Sequence, residues 1–382
     1  MHDCHNEIFG WMRPLGAELR IDAAGNLRGL YPATTPNAPK LFIGSHLDTV
    51  PNAGAYDGIL GVVLAVALLE ALEGRQFPFA IEVVGFSEEE GVRFGSPFIG
   101  SRALIGTLDQ DLMSHRDANG ISVAQAIADF GLNPTEIPQA ALKDDILGYV
   151  EFHIEQGPVL DTLGRPLGVV EAIAGQSRLE FTFVGRANHA GTTPMNLRHD
   201  AIAAAAEWIG AVERQAQAVP GLVATVGKID AKPSATNVIA GEVRLTLDIR
   251  HGSDEIRTSS LNHLIRSAEE IAQKRGLLVS RKTLLSQPAV AMHPFLVSEI
   301  EAAIRASGCE PHRMVSGAGH DAMILAEKVP AAMIFLRSPG GISHDPAESV
   351  RIEDVASALE CGLQLLDQLS SSPVLQKRMP RA

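Results

Sequence analysis

The sequence predicts an α/β fold: a mixed, mainly parallel sheet in one domain, interrupted by an inserted α+β domain of ferredoxin-like type. Three observations carry this. Short unbroken apolar segments flank a long apolar helical segment near the N-terminus, as in a βαβ unit. From about residue 176 to 288 the texture changes to strictly alternating strands, in the order β-α-β-β-α-β. An unbroken apolar strand (AAMIFL) then returns at residues 331–336. The first domain is therefore expected at 1–175 and 289–382, and the inserted one at 176–288.

The elements follow in order. Residues 17–30 alternate around Gly25-Asn26 and read as a hairpin. Residues 32–39, rich in Pro, Thr and Asn, read as a loop. A short strand at 40–45 (KLFIGS) ends at His46, and residues 57–74 carry a long apolar helix. A second buried strand at 79–87 (FAIEVVGFS) runs straight into Glu88, Glu89 and Glu90. A third, at 149–154 (YVEFHI), has polar residues towards its end. In the insertion, strands are expected at 179–185, 224–229, 242–250 and 277–283, with helices at 200–216 and 255–276. Gly175 and Pro288 flank it as plausible hinges.

With 382 residues, 46% apolar and 20% charged, the chain is long enough to bury a core without disulfides or structural metal. Its net charge of −13 argues against binding the nucleic-acid backbone and fits solubility. Cys4, Cys309 and Cys361 form no CxxC pair, which suits a reducing cytoplasm. The longest apolar run, residues 59–69, is too short to span a bilayer, which needs about 20 residues. The start, MHDCHNEIFGWM, lacks a basic segment followed by an apolar one, so no signal peptide is expected.

The chemistry is expected where ligands collect in open α/β sheets, at the carboxyl ends of the strands. His46 and Asp48 follow one strand, Glu88 and Glu89 the next, His153 the third and His344 the last, while Asp57 opens the apolar helix. Any one of these alone is an ordinary surface residue; their convergence on four strand ends is the specific signal. Imidazoles and carboxylates suit zinc, or manganese or cobalt with more oxygen ligands. Three histidines and two carboxylates exceed one open catalytic zinc, but suffice for two ions sharing a carboxylate. Asp57 is the expected bridge, and Asp48 the residue that orients His46. A spare glutamate that accepts a proton from water would make the site hydrolytic.

The motifs GSHLDTV, YDG, SEEEG, HIEQG, NHAGTTPM and GISHDPAE, in this order, resemble those of the dinuclear-metal amidohydrolases. These are the allantoate amidohydrolases, N-carbamoyl-L-amino-acid hydrolases and β-ureidopropionases, distant relatives of aminoacylases and metallo-carboxypeptidases. The resemblance runs from about residue 10 to 366. It implies two divalent ions (Zn²⁺, or Mn²⁺ or Co²⁺) on His46, bridging Asp57, Glu89, His153 and His344, with Glu88 as general base. It implies that the insertion is a lid and dimerisation domain whose His189 stabilises the oxyanion in a partner subunit. Asn237 and Arg250 would hold the substrate, with Gln156 and His320 as further contacts. Relatives carry a longer leader before GWM, which implies that a first helix is missing here.

Arg250 offers a planar fork for a carboxylate, although pairing with Asp248 or Asp254 is a competing role. His189 can donate to an oxyanion. The expected substrate is thus a small carboxylate with a ureido or carbamoyl group, allantoate first and an N-carbamoyl-L-amino acid (or a β-ureido acid) next. A dipeptidase or aminoacylase, or a metal-binding protein without catalysis, are the remaining alternatives. The expected partners are that substrate and a second copy of the chain, with neither nucleic acid nor membrane.

Overall fold

The computed structural model describes residues 1–143 and 145–376; Asp144 and the last stretch of the expected first domain, 377–382, lie outside the described residues. The chain divides into two compact units: Met1–Glu171 with Met292–Met314 and Ala318–Ala382, and Ala172–Ala291 with Val315–Gly317.

The first unit opens with α1 (His2–Met12), a helix that sequence reading did not assign. His5, Ile8 and Met12 are its buried residues, spaced to share one helical face. β1 (Glu18–Ile21) and β2 (Leu27–Tyr31) form the expected hairpin, with Glu18 opposite Leu30. β3 (Lys40–His46), α2 (Ile59–Ala71) and β4 (Ala80–Phe86) make the βαβ unit, β3 and β4 pairing in parallel. Helix α2 is apolar all round and buries Val62, Leu64, Ala65 and Leu68 among others, as a helix covered on every side must. Gly61 lets it lie against β5 (Ile146–Ile154), because a Cβ there would collide with the Phe152 carbonyl. Between β4 and β5 run α3 (Ile99–Leu104), α4 (Gln110–Ser114), α5 (Val123–Asp129) and α6 (Ile137–Ala140). They close a small core of their own around Phe94, Ile99, Met113 and Ile127. After β5 come α7 (Val159–Leu163) and β6 (Leu167–Ile173).

The second unit follows: β7 (Gly175–Val184), β8 (Asn188–His189), α8 (Ala201–Ala218), β9 (Val223–Lys232), β10 (Val238–Ile239), β11 (Glu242–His251), α9 (Asp254–Arg275) and β12 (Leu278–Gln287). Its antiparallel sheet has the order β12-β7-β11-β9, which is the ferredoxin-like arrangement. Along β7 every second residue is buried, so Leu179, Phe181 and Phe183 form a core with Trp208 of α8 and Leu264 of α9. The Trp208 indole donates to the Leu264 carbonyl at 2.8 Å. Asp200 caps α8 by accepting from the Ile202 and Ala203 amides.

The chain returns through β13 (Val290–Ala291), α10 (Pro294–Ala306), β14 (Arg313–Ser316), α11 (Asp321–Leu325), β15 (Ala331–Leu336) and α12 (Ile352–Ser371). The main sheet runs β1-β2-β4-β3-β5-β15-β6, continuing to β13, with β14 also paired to β6. Its centre, β4-β3-β5-β15, is parallel and its flanking pairs are antiparallel. All nine residues of β5 are buried, as in a parallel strand covered on both faces. The carboxyl ends of β3, β4, β5 and β15 therefore gather along one edge. Among the described residues no helix is long and apolar enough to cross a membrane.

Candidate metal centre

His46 closes β3 and His153 lies one residue before the end of β5; their side chains are almost fully buried. Their Nε2 atoms face each other at 3.2 Å. Both rings are aimed by the opposite nitrogen: His46 Nδ1 lies 2.7 Å from the Asp48 carbonyl, and His153 Nδ1 lies 2.8 Å from the Ile154 carbonyl. A main-chain acceptor on Nδ1 leaves Nε2 as the ligating atom.

Asp57 sits just ahead of α2. Its Oδ1 lies 3.2 Å from His153 Nε2 and 3.7 Å from His46 Nε2. Its Oδ2 lies 3.0 Å from His344 Nε2. Gly58 follows at φ +70, where a Cβ would run into the His46 ring, so only glycine lets the two segments approach this closely. One carboxylate thus faces two groups of ligand atoms. His46, Asp57 and His153 form the first, and Asp57, Glu90 and His344 the second; within each group the ligand atoms lie within 4.8 Å of one another.

The second group contains Glu90, which sequence reasoning passed over in favour of Glu89. The three glutamates after β4 point to different places. Glu88 adopts φ +55 and lines a small apolar cleft of about 90 Å³ with Arg93, Phe94 and Ile99. Glu89 is buried. Glu90 reaches 3.7 Å from His344 Nε2, and its Oε1 is buried without a hydrogen-bond partner among the described residues. Such an orphaned acceptor beside an imidazole is what a cation would satisfy. The donor set of nitrogens and carboxylate oxygens fits divalent zinc, manganese or cobalt.

Asp48 differs from expectation in how it acts. Its carbonyl, not its carboxylate, accepts from the His46 ring. The carboxylate instead accepts the Glu89 amide at 3.0 Å and the Glu90 amide at 3.1 Å, pinning the acidic turn.

The electrostatics follow from packing many carboxylates together. Burial, then the charges of Asp321, Glu90, Asp48 and Glu151, raise the Glu89 carboxyl well above its ordinary range. Burial and Asp57 push Glu90 up to about 7, and burial and Asp48 do the same to Glu88. Burial alone would raise Asp57, but the His153 hydrogen bond and the charges of His153, His46 and His344 hold it well below. His153 is held above its ordinary value: burial opposes this, but Asp57 and Glu151 outweigh it.

Gln156, with φ +57, donates to Asp57 Oδ2 at 3.1 Å and lies 3.4 Å from His344 Nε2. His320 is buried, with its ring stacked edge-on to His153 at 4.4 Å between centroids. Burial, then His153 and His46, lower it well below the usual imidazole value, so it stays neutral.

The remaining three predicted residues belong to the second unit. His189, exposed on β8, accepts the Gly191 amide on Nδ1 at 3.0 Å, which in the neutral ring leaves the proton on Nε2. Arg198 braces that loop through the Ala190 and Thr193 carbonyls. Asn237 is exposed beside β10. Arg250 pairs with Asp248 through Nε at 2.8 Å and Nη2 at 3.0 Å, and with the Gly317 carbonyl through Nη1. The anticipated ion pair with Asp248 therefore exists, and it borders a cleft of about 440 Å³ lined also by Thr225, His251 and Val315.

The chain resembles known proteins in sequence and in fold. Residues 42–368 match peptidase family M20/M25/M40. An N-carbamoyl-L-amino acid amidohydrolase of Geobacillus stearothermophilus is 41% identical over 356 residues, covering 92% of this chain and 87% of its own. An allantoate deiminase of Arabidopsis thaliana is 39% identical over 398 residues, covering 95% and 75%. The crystal structure of an amidase of the hydantoinase/carbamoylase family from Burkholderia multivorans superposes with a TM-score of 0.90 at 30% identity, covering 96% and 90%.

Proposed function

Because the chain belongs to peptidase family M20/M25/M40 and is an amidohydrolase, acting on carbon–nitrogen bonds other than peptide bonds, we propose that it hydrolyses the ureido or carbamoyl C–N bond of a small carboxylate, allantoate in the first place. The observation that carries this is the pair of ligand groups sharing Asp57. His46, Asp57 and His153 would hold one divalent ion, and Asp57, Glu90 and His344 a second. When bound, such ions supply Lewis acidity and make water more acidic.

The chain's own residues divide the remaining work. Glu89, adjacent in sequence to the proposed ligand Glu90 but outside both groups, takes the proton from water. It then delivers that proton to the leaving nitrogen. This moves both glutamate roles one residue along from the sequence expectation: Glu90 replaces Glu89 as ligand, and Glu89 replaces Glu88 as base. Asp48 holds the acidic turn in register, and Gln156 and His320 border the substrate. In a homodimer, His189, Asn237 and Arg250 of one copy would meet the substrate of the other, His189 donating from Nε2 to the developing oxyanion. The three cysteines are free, in keeping with a cytoplasmic setting.

An N-carbamoyl-L-amino acid is the second reading, favoured by the 41% identical amidohydrolase. The test is a substrate panel with Zn²⁺, Mn²⁺ or Co²⁺: allantoate, N-carbamoyl-L-amino acids, N-acetyl amino acids and dipeptides. Ammonia release from allantoate supports the first reading. Turnover of N-carbamoyl amino acids alone moves the assignment to the second, and turnover of dipeptides alone rejects both.

A further inference from the structure

Glu348 is the buried residue of an otherwise exposed stretch: residues 344–347, which carry His344, are all exposed, while Glu348 is 5% exposed. A carboxylate is buried at a cost unless its oxygens are satisfied. Its hydrogen-bond partners are neutral donors. Its Oε1 accepts the backbone amides of Tyr56 and Asp57, both at 3.1 Å. Its Oε2 accepts the Ser343 hydroxyl at 3.0 Å. The same hydroxyl lies 3.3 Å from Gln156 Nε2, which also reaches Asp57. Gly54 packs directly on the Glu348 side chain, where a Cβ would collide with it.

These contacts join two segments almost three hundred residues apart in sequence. One supplies Asp57, the carboxylate shared by both ligand groups. The other supplies His344, the exposed ligand, at φ +56, a backbone conformation that an isolated histidine rarely adopts. We propose that Glu348 is a positioning residue that sets the spacing between Asp57 and His344, and so builds the second metal site. It touches neither ion nor substrate; it acts by holding one main chain and the neighbour of the other. The proposal rests on the two-ion reading above.

The test is calorimetric titration of chelator-stripped protein with Zn²⁺ and with Co²⁺, whose visible absorption reports ligand geometry. Wild-type protein should take up two ions. Glu348→Ala should keep the first ion near wild-type affinity and bind the second about tenfold or more weakly, the loss typical of removing a residue that orients ligands. Glu348→Gln should restore the second ion to within about threefold of wild type, because an amide oxygen can take both backbone amides while its NH₂ faces Ser343 Oγ. Ser343→Ala should weaken the second ion by an intermediate factor. Two ions at wild-type affinity in Glu348→Ala would overturn the proposal, as would Glu348→Gln binding no better than Glu348→Ala. If Glu348→Ala does not fold, Ser343→Ala decides: an unchanged second ion refutes the positioning role. Wild-type protein that takes up fewer than two ions would instead refute the two-ion reading itself, and this proposal with it.

Discussion

The two halves of the candidate metal centre are built differently. His46 and His153 stand on adjacent parallel strands, are no more than 2% exposed, and are each aimed by a main-chain carbonyl. His344 stands on a loop, its side chain is 48% exposed, and its backbone is left-handed. Strands bonded on both sides hold ligands without further help; loops need side chains to do it. On the two-ion reading the first half is preformed by the sheet, and the second would depend on tethers such as Glu348 and the Asp48 clamp on the acidic turn. Asp57 is the one residue that belongs to both.

That contrast can be broken at its shared point first. Asp57→Asn should abolish uptake of both ions and lower turnover by at least about a thousandfold, measured by metal content and ammonia release. Glu89→Gln should retain both ions yet lose about 10²–10⁴ in kcat, because it removes only the proton acceptor. Glu88→Gln, at a residue that lines the apolar cleft and belongs to neither ligand group, should stay within about threefold of wild type; the opposite pattern would return the base to Glu88. His344→Ala and His153→Ala should each lose one ion where Asp57→Asn loses both, a difference that elemental analysis reads directly. The smallest effect is on stability against pH. With folded pKa values raised to about 7, Glu88 and Glu90 bind more protons folded than unfolded between their ordinary values and about 7. Metal-free protein therefore loses their contribution as pH rises through that window, and added cation offsets the loss at Glu90. The gap in melting temperature between loaded and stripped protein should widen from about pH 5 to about pH 7; a constant gap would argue against Glu90 as a ligand.

Much of this was legible from residue order. The helix at 59–71 declares itself by apolar residues on every side, and β5 by an unbroken buried run. The ferredoxin-like insertion declares itself by period-two alternation, because one face of its sheet is buried and the other is wet. His46, Asp57, His153 and His344 come from distant motifs and meet in space, as strand ends in a parallel sheet do. Less was visible in the first twelve residues, where the helix buries only Ile8 and Met12 of its apolar side chains and two histidines and two acidic residues blur the pattern.

What order could not decide was direction within a turn. Glu88, Glu89 and Glu90 are chemically identical, and a left-handed residue at Glu88 rotates the chain so that one faces a cleft, one the interior and one His344. Nor could it show that Asp48 spends its carboxylate on two amides, or that Glu348 ties Asp57 to Ser343. Periodicity and strand ends follow from local geometry and apolar burial, so they are written along the chain. Which oxygen meets which donor depends on backbone torsions at a few loop residues and on segments hundreds of positions away, so it exists only once the chain has folded.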